Sequence, residues 1–122
     1  LKFELESNDS QYRIQSYRPN TAIIINRIAY PHSVLISPHH LSNWSPTKFE
    51  ELLKEHFEQI CQLKVSVVLI GTGEKLQFPP QTLLTPLMKA GIGFEIMDTG
   101  AACRTFEVLA SEGRGVAAAL LL

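Results

Sequence analysis

A basic surplus, a disulfide framework and a membrane-length apolar run are all missing from this chain. Its 122 residues carry 11 Lys and Arg against 12 Asp and Glu, a formal net charge of −1, and the basic residues are scattered. Nothing in that balance would neutralise a phosphate backbone, so nucleic acid is not an expected partner. Two cysteines, Cys61 and Cys103, cannot staple a small domain, and both sit in apolar helical contexts, which suits a reducing compartment. No apolar stretch approaches the roughly 20 residues that span a bilayer, so direct membrane insertion is not expected. Residues 1–10 lack the basic and apolar regions of a secretory signal, and the expected location is the cytoplasm. There is no internal repeat and no low-complexity segment.

Catalytic and metal signatures are also absent. Ser-His-Asp chemistry would need a Gly-x-Ser-x-Gly elbow, which does not occur. The four histidines are His32, His39, His40 and His56, and none has a Cys or His partner at zinc-site spacing. His39 and His40, if in a strand, point to opposite faces. His56 falls on an apolar helix stripe and reads as a hydrogen-bonded core residue. Neither a metal nor a cofactor is expected.

What is present is enough for one domain over residues 1–122, with 45% hydrophobic and 19% charged residues. From Val65 onward the pattern is strand, helix, strand, helix, strand. Val65 to Ile70, Gly93 to Met97 and Gly115 to Leu122 are nearly unbroken apolar runs. Strands apolar at every position need cover on both faces, which predicts a mostly parallel sheet in a βαβαβ unit. The first crossover helix is expected over Gln81 to Ala90, started late or kinked by Pro86, and the second over Thr99 to Glu112. Ala102, Phe106, Leu109 and Ala110 form the second helix's buried stripe, with Cys103 at its margin.

The first zone, Phe3 to Trp44, favours strands. Tyr12 to Tyr17 alternates in polarity, Arg18-Pro19-Asn20 reads as a turn, and Thr21 to Asn26 and Ser33 to Ser37 are short and β-branched. Antiparallel hairpins or a small separate sheet are expected there. Between the zones, Phe49, Leu52, Leu53, His56, Phe57 and Ile60 recur with helical spacing. Thr47 and Glu50 fit a capping box for that helix, and Glu50 and Lys54 fit an i, i+4 pair.

Ligands of parallel sheets gather at the strands' carboxyl ends, where Gly71-Thr72-Gly73 and Asp98-Thr99 would fall. The glycine loop matches neither a P-loop nor a dinucleotide fingerprint. It reads either as a tight turn with two glycines at positive φ or as an anion contact. Asp98 or Thr99 can cap the second crossover helix. Cys103, about one turn in, would then feel the helix dipole and Arg104, both of which favour a thiolate; against this, its apolar setting suits a small buried hydrophobe. Arg104, Glu107, Glu112 and Arg114 read as a recognition patch or as a solvated face with Arg104 paired to Glu107. The candidate ligand contacts are Gly71, Thr72, Gly73, Asp98, Thr99, Cys103, Arg104 and Arg114.

The runs Gly71-Thr72-Gly73, Phe78-Pro79-Pro80 and Gly91 to Thr99 together resemble a known group. Above all, Ala101-Ala102-Cys103-Arg104-Thr105-Phe106 followed by Leu109 to Leu120 resembles a small single-domain family typified by an archaeal structural-genomics protein. That family includes the adipogenesis-associated domain protein of animals and a mitochondrial respiratory complex I assembly factor. The resemblance covers nearly the whole chain and is most specific between Val68 and Leu120. It implies a three-layer α/β fold, with a central mixed, mostly parallel sheet and a smaller β layer from the N-terminal half. It also implies a poorly characterised role, in which the mitochondrial relative assists assembly of a membrane complex through protein partners. Members often carry asparagine where this chain has Glu107, so a role needing an uncharged amide there does not transfer. Organelle residence is not carried over either. The expected function is a non-enzymatic binding module or assembly helper with protein partners. The alternative is a small-molecule or anion binder, or an enzyme, using a pocket near Gly71-Gly73 and Asp98-Arg104.

Overall fold

The computed structural model describes residues 10–122, so the start of the strand-favouring zone, from Phe3 to Asp9, lies outside the described residues. Among the described residues eight strands form two sheets. A three-stranded antiparallel sheet has the order β1 (Ile14–Arg18), β2 (Ala22–Ile25), β3 (Ile28–Tyr30). The five-stranded sheet combines β4 (Val34–Ser37) and β5 (His40–Asn43) with β6 (Val67–Gly71), β7 (Gly93–Met97) and β8 (Val116–Leu120), in the order β5-β4-β8-β6-β7. β6 pairs in parallel with both β7 and β8, while β4 joins β8 antiparallel, which makes the sheet mixed. Helices α1 (Lys54–Cys61) and α2 (Thr85–Lys89) lie on one face, and α3 (Thr99–Ser111) lies on the other.

Strict alternation along the central strands builds the layers. Val116, Ala118 and Leu120 of β8 join Leu69, Ile36, Phe106 of α3 and Ile23 and Ile25 of the small sheet in one core. Ala117, Ala119 and Leu121 point the opposite way, to Phe57, Ile60 and Leu87 under α1 and α2. A strand buried on both faces must be apolar at every position, which is why the period-2 signal vanishes in β8. The predicted three-layer α/β architecture is the one observed.

The helix expected from Thr47 is broken. Phe49–Glu51 form a 3-10 turn, Leu52 and Leu53 are extended, and α1 begins at Lys54. Thr47 binds the carboxylate of Glu51 through both its amide and its hydroxyl, so the expected capping box with Glu50 does not form. Nor do Glu50 and Lys54 share a helix, which removes their i, i+4 pairing. The break has a packing cause. Trp44 is buried against Phe57 and donates from its indole N–H to the His56 carbonyl at 3.2 Å. The extended pair lets Leu52 enter the core while Leu53 stays 52% exposed. His56 closes the corner: its Nδ1 accepts from the Leu53 amide at 2.9 Å, and it is buried, as expected of a core histidine. Pro86 has the anticipated effect on the first crossover, where a 3-10 turn over Gln81–Leu84 precedes α2.

Candidate functional site

The carboxyl ends of β6 and β7 are adjacent, and their loops meet as the sequence suggested. Gly71 lies opposite Met97, and the Thr72 amide donates to the Met97 carbonyl at 2.9 Å. Beyond the strands the loops bond each other directly. Gly73 N–H donates to Thr99 Oγ1 at 2.8 Å, and Thr99 N–H returns a bond to the Gly73 carbonyl at 2.9 Å. The Thr99 hydroxyl then donates to the Leu121 carbonyl at 2.7 Å. Thr72 Oγ1 donates to the Lys75 carbonyl and accepts from the Gln77 amide. Asp98 caps α3, one carboxylate oxygen accepting from the Ala101 amide at 2.9 Å. Gly71, Thr72, Gly73, Asp98 and Thr99 therefore come together, but as a knot of mutual bonds with Thr72 and Thr99 buried.

The two glycines serve different ends. Gly73 takes the expected positive φ, +98°. Gly71 does not; it is the last residue of β6 and admits α3, since a Cβ there would lie 3.0 Å from the Thr99 Cα. Only the second half of the expected turn reading holds.

Cys103 and Arg104 open onto a different place. A cavity of about 570 Å³ lies between β1 and α3, lined on the helix side by Gly100, Cys103, Arg104 and Glu107. That spacing, i, i+3, i+4, i+7, is one helix face. Arg114 is not part of it. It follows the far end of α3 beside Glu112 at 3.7 Å and lines a separate depression with Ser37, Pro38 and Gly115. The expected Arg104–Glu107 pair is absent as well. Glu107 instead reaches β1, accepting from Arg13 Nε at 2.9 Å and from the Ile14 amide at 2.8 Å. Sequence reasoning missed Tyr17, whose hydroxyl donates to the Leu122 carbonyl at 2.8 Å. Its only sequence signal was a place in the alternation of the first strand.

The thiol of Cys103 is protonated at neutral pH. Burial pushes its pKa from an ordinary 9.0 up to about 12, outweighing the opposite pull of Arg104, with Glu107 and Asp98 adding to the rise. Tyr17 is also raised, to about 12, by burial first and then by Glu74, Cys103 and Asp98. Both groups hold their protons more tightly in the folded chain than in the unfolded one. Their contribution is thus complete below the unfolded values, 9.0 and 10.0, and is lost as pH climbs towards 12. Urea titrations across that window should show falling stability, and Cys103→Ala should flatten the slope without abolishing it. Alkylation of native Cys103 at neutral pH should be slow.

Among the described residues no group of three or more His, Cys, Asp or Glu could hold a metal ion. No helix among them is long and apolar enough to cross a membrane.

A family model described as a protein of unknown function (DUF498/DUF598) matches residues 14–121. The chain is 28% identical over 100 residues to a 13 kDa major membrane protein of Francisella tularensis, covering 80% of this chain and 81% of that one. It is 31% identical over 98 residues to human NADH dehydrogenase (ubiquinone) 1 alpha subcomplex assembly factor 3, covering 79% of this chain and 52% of the relative. The chain thus spans about half the length of that assembly factor. A crystal structure of a Bordetella parapertussis protein superposes with a TM-score of 0.84 at 29% identity, covering 90% of this chain and 94% of the other.

Proposed function

The chain belongs to the DUF498/DUF598 family, and from that premise we propose that it is a protein-binding assembly helper acting from the cytoplasm on a respiratory membrane complex. One observation carries the reading: the similarity to a named NADH dehydrogenase assembly factor extends over 79% of the chain. An assembly helper needs a stable platform and an accessible recognition surface rather than a reactive group. Cys103, held as a neutral buried thiol, suits such a platform. The bacterial relative named as a membrane protein also fits a helper whose client lies in the membrane.

Deletion of the gene in its own host, with membranes resolved by native electrophoresis, tests the role. The expected result is a several-fold loss of intact NADH dehydrogenase with accumulation of partial assemblies, restored by the complemented chain. Unchanged complex levels and no partial assemblies would overturn the proposal.

A further inference from the structure

We propose that the free edge of β7 takes up an extended segment of a partner protein, added to the large sheet as a further strand with a lysine or arginine opposite Glu95; this rests on the protein-binding reading above. β7 borders that sheet and has β6 as its single strand neighbour among the described residues. Its residues pair with β6 one for one, without the register shift that interrupts β1. Two bonds fix which main-chain groups are free. The Gly93 amide donates to the Ser66 carbonyl at 3.0 Å, and the Met97 carbonyl accepts from the Thr72 amide at 2.9 Å. Both residues thus face β6, and alternation along the strand turns Glu95 the same way. Phe94 and Ile96 face outward. Among the described residues no other element bonds their amides or carbonyls.

The other edges offer less. The Ile14 amide on β1 is already held by Glu107 at 2.8 Å, β3 is 3 residues long and β5 is 4. β7 is also open to solvent. Gly93 and Glu95 are exposed and the rest of the strand is half-buried, whereas β6 is buried from Val68 to Gly71. Proline and bulges are common guards of such an edge, and β7 has neither. Regular strand with bare outward backbone is what strand addition uses.

Side-chain chemistry specifies the occupant. Phe94 and Ile96 pack at the margin of the core under α1 and α2, so the residues opposite them lie on an apolar rim. Glu95 points to the other face, that of Leu69 and Met97, and its carboxylate forms neither a hydrogen bond nor an ion pair among the described residues. Nothing adjoining neutralises it. β6 carries no charge, Arg104 and Glu107 of α3 face β1, and Lys89 ends α2 on the opposite side of the sheet. A strand laid along the edge strips water from that carboxylate. An apolar residue there leaves it unpaired, while a lysine or arginine directly opposite completes it. The pattern that fits is apolar, basic, apolar. A second copy of β7 does not supply it: with Phe94 bonded to Ile96 of the other copy, the two Glu95 carboxylates would stand directly opposite, a repulsive cross-strand pair. One carboxylate therefore discourages self-pairing and selects a basic partner.

The test uses the isotopically labelled full chain and the end-blocked peptide Thr-Val-Lys-Val-Thr, with versions carrying glutamine or glutamate in place of the lysine. Titrations to millimolar peptide are followed through backbone amide shifts. The lysine peptide should move the Phe94 and Ile96 amides most and bind at least tenfold more tightly than the glutamate peptide, with glutamine between them. Glu95→Lys should invert that order and Glu95→Gln should remove it, both with melting temperatures close to the parent's, since the side chain is exposed and unpaired. N-methylation of one alternate set of peptide amides should abolish binding, and of the other set should leave it intact. The proposal falls if no peptide binds, if the shifts centre away from β7, if lysine and glutamate peptides bind alike, or if Glu95→Lys leaves their order unchanged. Binding by both N-methylated sets would equally overturn it, as would a dimer of the chain alone in which the Phe94 and Ile96 amides are protected from exchange. The gene-deletion phenotype is read independently of these outcomes, so the assembly role can stand or fall without the β7 edge.

Discussion

Thr99→Val is expected to destabilise the chain by about 3 kcal/mol while leaving its backbone in place. The exchange conserves shape and removes one hydroxyl. That hydroxyl donates to the Leu121 carbonyl at 2.7 Å and accepts from the Gly73 amide at 2.8 Å. Thr99 is fully buried and Leu121 nearly so, which leaves the Leu121 carbonyl with no route to water from that side. An orphaned buried polar group costs about 1–3 kcal/mol, and the half-buried Gly73 amide adds a smaller share. Thr99→Ser keeps both bonds and should cost about 1 kcal/mol, the loss of one buried methyl. Urea titration of the three proteins checks this, with an unchanged m-value showing that the folded and unfolded states are otherwise alike. A Thr99→Val loss below that of Thr99→Ser would mean that the loop knot contributes nothing to stability.

The same knot marks where the sequence was legible and where it was not. β6 and β8 announced themselves because strands covered on both faces have no polar alternation to confuse them, whereas β7, a half-exposed edge strand, showed only as a short apolar run between glycine and aspartate. A cap at Asp98 or Thr99 followed from local chemistry alone, and the structure gives that role to Asp98. That Gly71-Gly73 would meet Asp98-Thr99 followed from the parallel pairing of β6 with β7. What the meeting does was not readable, because the third partner, Leu121, arrives from β8 with a register fixed only by tertiary packing. Short or polar strands were lost for a similar reason. Ile28–Tyr30 and His40–Asn43 take their state from β2 and β4: the first is only three residues long, and the second has no β-branched residue and no Phe, Tyr or Trp. The helical period across Leu52 and Leu53 was genuine as a pattern, yet burial of Trp44 against α1 overrode it. Glu107 illustrates the limit most sharply. Spacing offered Arg104 three residues before it, while the fold supplies Arg13 and Ile14, more than ninety positions away. The groove between β1 and α3 depends on that long-range contact, so no local motif could have located it.

Gly71→Val should be the more damaging exchange, at about 3 kcal/mol or above, although a β-branched residue ordinarily favours a strand. A Cβ on Gly71 would stand 2.9 Å from Thr99 Oγ1, 3.0 Å from Leu120 Cδ2 and 3.0 Å from Thr99 Cα. Neither backbone can yield cheaply. The Gly71 carbonyl accepts from the Leu121 amide at 3.0 Å, and Thr99 is bonded to Gly73 through both its amide and its hydroxyl. Relief therefore requires the start of α3 to move off β6, which breaks the loop bonds as well as the packing. Overpacking of this kind costs about 1–3 kcal/mol for a small increment, and the two extra methyl groups of valine exceed that increment. Gly71→Ala should fall lower, at about 1–2 kcal/mol, because the smaller unfolded-state entropy of alanine offsets part of the clash. Gly93→Ala supplies the control: it sits in a strand of the same sheet, but its added Cβ would meet the Ser66 carbonyl at an ordinary 3.6 Å. Equal denaturation midpoints for the two alanine variants would show that α3 is not held against β6 by the missing side chain. A lower midpoint for Gly71→Ala, with valine lower still, places the fixed position of α3, and with it the wall of the β1 groove, on this one close approach.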